Sequence, residues 1–183
     1  MHNHDTSIWK GMIAGLGAGL VASWTMNQFQ AAWTRIAAGT EKSHGAQSMQ
    51  PSEGSKGDQA QDTNEPDDAT VETAKVISKG IFGHELQESE KEPAGAAVHY
   101  AFGTVTGGLY GALAEVSPQV TAAAGLPFGA AFWLAADEIS VPLLGLAKGP
   151  TEYPVSTHVY ALASHLVYGV TAELGRRAVR HVL

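Results

Sequence analysis

The sequence predicts an all-α protein, an integral membrane four-helix bundle with a disordered acidic loop and a short amphipathic interfacial helix. Three observations carry this. Four apolar runs, at 8–29, 94–114, 126–147 and 155–174, each have about the 20 residues needed to cross a ~30 Å hydrocarbon core as a helix. Charge is segregated: residues 40–92 hold 12 of the 18 acids and five lysines, a net −7 that equals the charge of the whole chain. The mean hydropathy of −0.05 therefore averages a polar insert with a charge-poor remainder.

The first run is interrupted only by Lys10 near its start. No basic residue precedes Lys10, and the apolar character continues to Trp33, so it reads as a span rather than a cleaved secretory signal. Ahead of it, His2, His4 and Asp5 read as a mobile tail, with weak copper or nickel binding as the other reading. Residues 40–70 are rich in Gly, Ser, Gln, Asp and Pro, and bury too little to offset their chain entropy, which predicts disorder. In 71–90 the apolar positions Val71, Ala74, Ile77 and Ile81 follow a cluster of acids. That pattern predicts a capped amphipathic helix lying along the membrane surface or on the bundle.

Pro93 opens the second span in a first-turn position, Pro127 stands near the start of the third and Pro154 precedes the fourth. A soluble bundle is the alternative, but its core helices would keep a broader polar stripe. Four spans put both termini on one side. Arg176, Arg177 and Arg180 favour the cytoplasm for that side, against Arg35, Lys42, Lys75, Lys79, Lys91 and Lys148 on the other. The expected location is the bacterial inner membrane, with the lipid bilayer as partner. There is no basic patch for nucleic acid, and no cysteine for disulfides or thiolate ligands.

Gly11, Gly15 and Gly19 in the first span, and Gly103, Gly107 and Gly111 in the second, are two small-xxx-small repeats, each a glycine zipper. They predict close helix packing, within one bundle or between copies in a homo-oligomer.

Polar groups inside the spans need a reason. The candidates are His99, Glu115, Asp137, Glu138, His158, His165 and Glu173. Because alternate spans run in opposite directions, they fall into three layers. His99 and His158, with Asn27 and Gln28, lie toward the loop side; His165, Asp137 and Glu138 lie near the midplane; Glu115 and Glu173 emerge on the terminal side. His158 and His165 are seven residues apart and share a helix face. Pro142 has no N–H for the Glu138 carbonyl, which frees an acceptor beside the two acids and predicts a kink.

Three chemistries suit this column. The groups form a proton or cation relay. Alternatively His99, His158, His165, Asp137 and Glu138 hold a transition metal, or His99 with His158 or His165 ligates haem. Or they pair as polar glue between helices. No Glu-x-x-His or similar motif chooses among them.

The strings "FGTVTGGLYG" (102–111), "GLPFGAAFWLAADEISVPLLGL" (125–146) and "STHVYALASHLVYGVTAE" (156–173) resemble the YagU-like family of small bacterial inner-membrane proteins. The resemblance implies a helical inner-membrane protein and supplies no mechanism, since the family has no established biochemical activity. The long acidic loop departs from the pattern. The functional expectation is a small multi-pass protein handling protons or cations, with acid or envelope stress as the setting. A metal or haem protein and a structural subunit of a larger membrane complex are the alternatives.

Overall fold

The computed structural model describes residues 7–36 and 67–183, and among them the chain is helical, with no strand. The tail with His2, His4 and Asp5, and the acidic stretch through residue 66, lie outside the described residues. Five helices follow in order: α1 (Ile8–Ile36), α2 (Ala69–Ile77), α3 (Glu88–Val116), α4 (126–143) and α5 (Val155–Arg180).

Several boundaries differ from the sequence reading: α1 runs on to Ile36 and α5 to Arg180, α4 stops at residue 143, and two further differences concern α2 and α3. The helix expected over 71–90 divides. Asp68 caps α2, its Oδ1 accepting from the Thr70 and Val71 backbone N–H groups at 2.9 and 3.0 Å. The helix widens into a π turn at Ser78–Phe82 and stops at Gly83, whose φ of 65° suits a residue without a Cβ. Then α3 begins at Glu88, well before Pro93. The Gln87 N–H donates to Glu90 Oε2 at 2.8 Å while the Glu90 N–H bonds the Gln87 carbonyl at 2.9 Å. This reciprocal lock starts the helix early, so Pro93 sits inside it rather than opening it. Ala69, Val71 and Ala74 are buried and α2 packs on α3, so this helix rests on the bundle.

In the packing, α1 lies between α3 and α5, and α4 lies on α5. The α1–α3 contact is backbone against backbone. A Cβ on Gly107 would come 2.5 Å from both the Gly15 carbonyl oxygen and Gly19 Cα, and one on Gly19 would come 2.5 Å from the Gly103 carbonyl. A second contact of this kind joins α4 to α5, where a Cβ on Gly169 would meet the Gly125 carbonyl at 2.5 Å and Gly129 Cα at 3.0 Å. The α3–α4 side is different. It is bridged by rings, Tyr110 to Phe128 at 4.2 Å and Phe102 to Phe132 at 5.7 Å. The connection below it turns through Ala123, Ala124 and Gly125, all at positive φ, where each alanine costs about 1 kcal/mol.

Burial does not follow polarity: beside the apolar core several polar side chains are buried, and many large apolar ones are exposed. Ser23, Gln30, Thr157, Ser164, His165, Asp137 and Glu173 are buried, while Trp9, Leu20, Trp24, Val105, Leu109 and Ile139 are at least half exposed. On length and composition alone, one helical run, Pro118–Leu143, is apolar enough to cross a membrane. The other long helices carry charge toward their ends, with Arg35, Glu88, Glu92 and Arg177 exposed, and among the described residues they do not reach that hydropathy.

Candidate functional site

The site is built where α4 loosens. Across Leu134–Ser140 the helix is π-type, with bonds reaching five residues back: the Val141 N–H bonds the Ala136 carbonyl, and Ser140 Oγ donates to the Ala135 carbonyl at 2.7 Å. Pro142 stands just beyond and supplies no N–H to the Glu138 carbonyl. The wider turn reduces the angle between successive side chains. Two adjacent acids thereby both face α5, which an α-helix would not allow as readily.

Each acid stands near a histidine, Glu138 within hydrogen-bond distance and Asp137 farther off. Glu138 Oε1 lies 2.7 Å from His158 Nδ1, and His158 Nε2 lies 2.9 Å from the Pro150 carbonyl. A carbonyl only accepts, so Nε2 carries a proton, and the Glu138–His158 contact holds one more. Asp137 Oδ2 lies 3.7 Å from His165 Nδ1, whose proton is donated to the Ala161 carbonyl at 2.9 Å. Both side chains are more than nine-tenths buried. Phe132 stands edge-on to the His165 ring, with centroids 5.1 Å apart.

Asp137 and His165 line a cavity of about 410 Å³, together with His99, Ser23 and Tyr168. Among the described residues His99 Nε2 has no hydrogen-bond partner. This corrects the predicted layering: His99 belongs with His165 around the cavity, and Glu138 belongs with His158. The depth argument counts residues along helix axes, but side-chain reach and the π turn shift the partners. The predicted metal set also divides. Among the described residues no three His, Asp or Glu side chains converge on one point, and both ring nitrogens of His158 are engaged.

Below the cavity the column is interrupted. Tyr110, Tyr168, Ala22, Met26 and Ala172 form an apolar core with Phe128 and Phe132 packed on it. The Tyr168 hydroxyl donates to the Gly103 carbonyl at 2.5 Å. Only beyond this layer stand Glu173 and Glu115, and both are held by arginines. Glu173 Oε2 accepts from Tyr110 and from Arg176 Nε at 2.8 Å each, and its Oε1 from Arg177 Nε at 2.5 Å. Glu115 accepts from Arg180 Nε at 2.8 Å and from the Ser7 N–H at 3.2 Å.

The Arg180 guanidinium holds the Glu115 carboxyl below the usual carboxylate range, against the opposing effect of burial. A depressed folded value stabilises the fold above the ordinary carboxylate range, and that contribution is lost as pH falls through the folded value. Thermal melts in detergent across the acid limb are therefore expected to fall for the native chain. Glu115→Gln is expected to start lower at neutral pH and show a flatter acid limb; an unchanged acid limb refutes the assignment.

Ser23, Gln30, Tyr110, Thr157 and Tyr168 join the buried polar set without standing out in the sequence reading. Ser23 does carry a signal, since it continues the Gly11, Gly15, Gly19 spacing by one more step of four. Tyr110 and Tyr168 carry none, because a tyrosine in an apolar run reads the same facing lipid or facing a carboxylate.

Residues 59–174 match the family described as "Protein of unknown function (DUF1440)", a stretch that takes in α2, α3, α4 and most of α5. No curated protein matches the chain, and no solved structure does. The family match covers more than half of the chain and agrees with the YagU-like strings in α3, α4 and α5; the chain belongs to the DUF1440 family.

Proposed function

We propose that this chain is a multi-pass inner-membrane protein, spanning with α1, α3, α4 and α5, whose interior acid–histidine pairs take up and release protons. Both termini lie on the cytoplasmic side in this reading, following the arginines of α5. The exposed apolar surface supports the membrane assignment, because a shell of exposed Trp, Leu, Val and Ile is stable against hydrocarbon. The observation that carries the proton function is the π turn that sets Glu138 in contact with His158, at 2.7 Å, and Asp137 near His165, at 3.7 Å.

The working unit is the cavity and the Glu138–His158 pair, not the full seven-residue column. Asp137 and His165 exchange protons at the cavity beside His99, and Glu138 with His158 does so toward the loop side. Glu115 and Glu173 anchor the opposite end through their arginines. The aromatic layer between them keeps the two sets apart, so protons enter and leave from one side.

Infrared difference spectra between about pH 8 and pH 5, the interval in which histidine ordinarily titrates, test this. The native protein is expected to show carboxyl and imidazole changes. Asp137→Asn should remove part of the carboxyl signal, and His165→Gln part of the imidazole signal, with the helix content unchanged. Difference spectra identical to the native ones in both variants would rule the reading out.

A further inference from the structure

We infer that the cavity between α3 and α4 binds an amphipathic monocation, a protonated alkyl or aryl amine with an apolar body, in competition with protons at Asp137 and His165. This rests on the proton-handling reading of the same cavity and names its ligand class.

Size comes first. A cavity of about 410 Å³ falls in the range that encloses a small organic molecule. Its walls come next. Met26, Val98, Phe102, Phe132, Val141 and Leu144 make most of the lining apolar, so the ligand needs an apolar body. Polar groups are confined to a few side chains, as expected where they orient a ligand rather than solvate it.

Charge then decides the class. Among the described residues Asp137 is the only acid on the lining, and no lysine or arginine is there to meet an anion. A carboxylate or phosphate would face Asp137 across an apolar space, at high cost. A cation instead gains the carboxylate and the faces of Phe102, Phe132 and Tyr168. His99 Nε2, which among the described residues has no partner, is a neutral acceptor for an ammonium N–H when it is deprotonated.

The groups facing Asp137 and His165 are few. His99 comes from α3, Tyr168 from α5, and Asp68, which acts on His99, from the cap of α2. The lining residues of α1, Ser23 and Met26, carry no charge. Protonation of Asp137 or His165 therefore removes the negative charge or adds a positive one, and either change expels a cation. Access fits an apolar amine. The α3–α4 side is bridged by rings rather than closed by backbone, and Phe102 and Leu144 at its edge are 56% and 70% exposed.

Equilibrium dialysis of the full chain in detergent micelles, with empty micelles as the blank, tests this with two rigid ions of matched shape and opposite charge. Tetraphenylphosphonium is expected to bind above the blank, and tetraphenylborate not. Asp137→Asn should weaken tetraphenylphosphonium binding about tenfold, the effect of losing one charged contact, and lowering the pH from about 8 to about 5 should do the same. Ala136→Phe fills the cavity without changing a charge and should abolish binding at both pH values. Equal retention of the two ions overturns the inference, as does tetraphenylphosphonium binding that survives both substitutions. Proton changes that persist in a protein unable to bind tetraphenylphosphonium also overturn it and leave the proton reading standing. Binding that needs Asp137 but ignores pH supports the ligand class and overturns the proton reading.

Discussion

Gly107→Ala is expected to destabilise the folded chain by about 3 kcal/mol, while Gly17→Ala stabilises it by about 0.5–1 kcal/mol. The two glycines lie in comparable helices and differ in what a methyl group would meet. At Gly107 it would strike the Gly15 carbonyl and Gly19 Cα, both at 2.5 Å and both backbone, whereas at Gly17 nothing lies within 4 Å. Backbone cannot change rotamer to make room, so the whole of α1 must move away from α3 and the strain reaches the upper end of the overpacking range. At Gly17 the methyl group only reduces the freedom of the unfolded chain and improves helix propensity. Thermal or denaturant melts in one detergent, followed by circular dichroism, compare the pair directly. Equal effects from the two substitutions would mean that α1 and α3 do not meet through these glycines.

Glu173→Gln is expected to cost about 3–5 kcal/mol, the usual result of removing one partner from a buried ion pair. Glu173 is fully buried, and its oxygens accept from Arg176 twice, from Arg177 and from Tyr110. Arg177 is half exposed and can turn to solvent, but the Arg176 side chain is 11% exposed and keeps only the Glu115 carboxylate, 4.0 Å away and beyond hydrogen-bond distance. Two companions separate charge from hydrogen bonding. Tyr110→Phe removes a single donor and should cost about 1 kcal/mol. The double variant Glu173→Gln, Arg176→Gln should recover a large part of the single-variant loss, because the buried guanidinium is removed with its partner while Glu115 keeps Arg180. A double variant as unstable as Glu173→Gln alone would show that packing, and not charge, sets the cost.

These two sites differ in how legible they are in the sequence. Glycine spacing of four is a direct consequence of helix geometry, so Gly11, Gly15, Gly19 and Gly103, Gly107, Gly111 stand out from the residue order alone. The second glycine contact, Gly125 and Gly129 against Gly169, has the same spacing on one side only and leaves a weaker trace. Glu173 is visible as a carboxylate at a helix end, yet its arginines one turn later read as a topology signal. The same three to four residue spacing makes them its partners.

The element boundaries show the same division. Pro93 reads as a helix opener because proline favours the first turn, but the Gln87–Glu90 lock starts α3 earlier and carries the helix through the proline. Pro142 reads as the source of a kink. The chain carries a π turn at Leu134–Ser140 just before it, a feature the residue order does not announce.

Composition and period are enough to establish the helical class, the apolar runs and the ionisable members of the interior polar set. Those properties follow from local chemistry: the helical repeat and the cost of burying charge act residue by residue. The partners are decided only by tertiary structure. Which histidine meets which acid depends on the wider turn at Leu134–Ser140 and on the rotation of α5 against α4. So does the separation of Glu115 and Glu173 from the cavity by the rings of Tyr110, Phe128, Phe132 and Tyr168. No single segment encodes such angles, since each arises from two helices fitting one another, backbone to backbone at glycine.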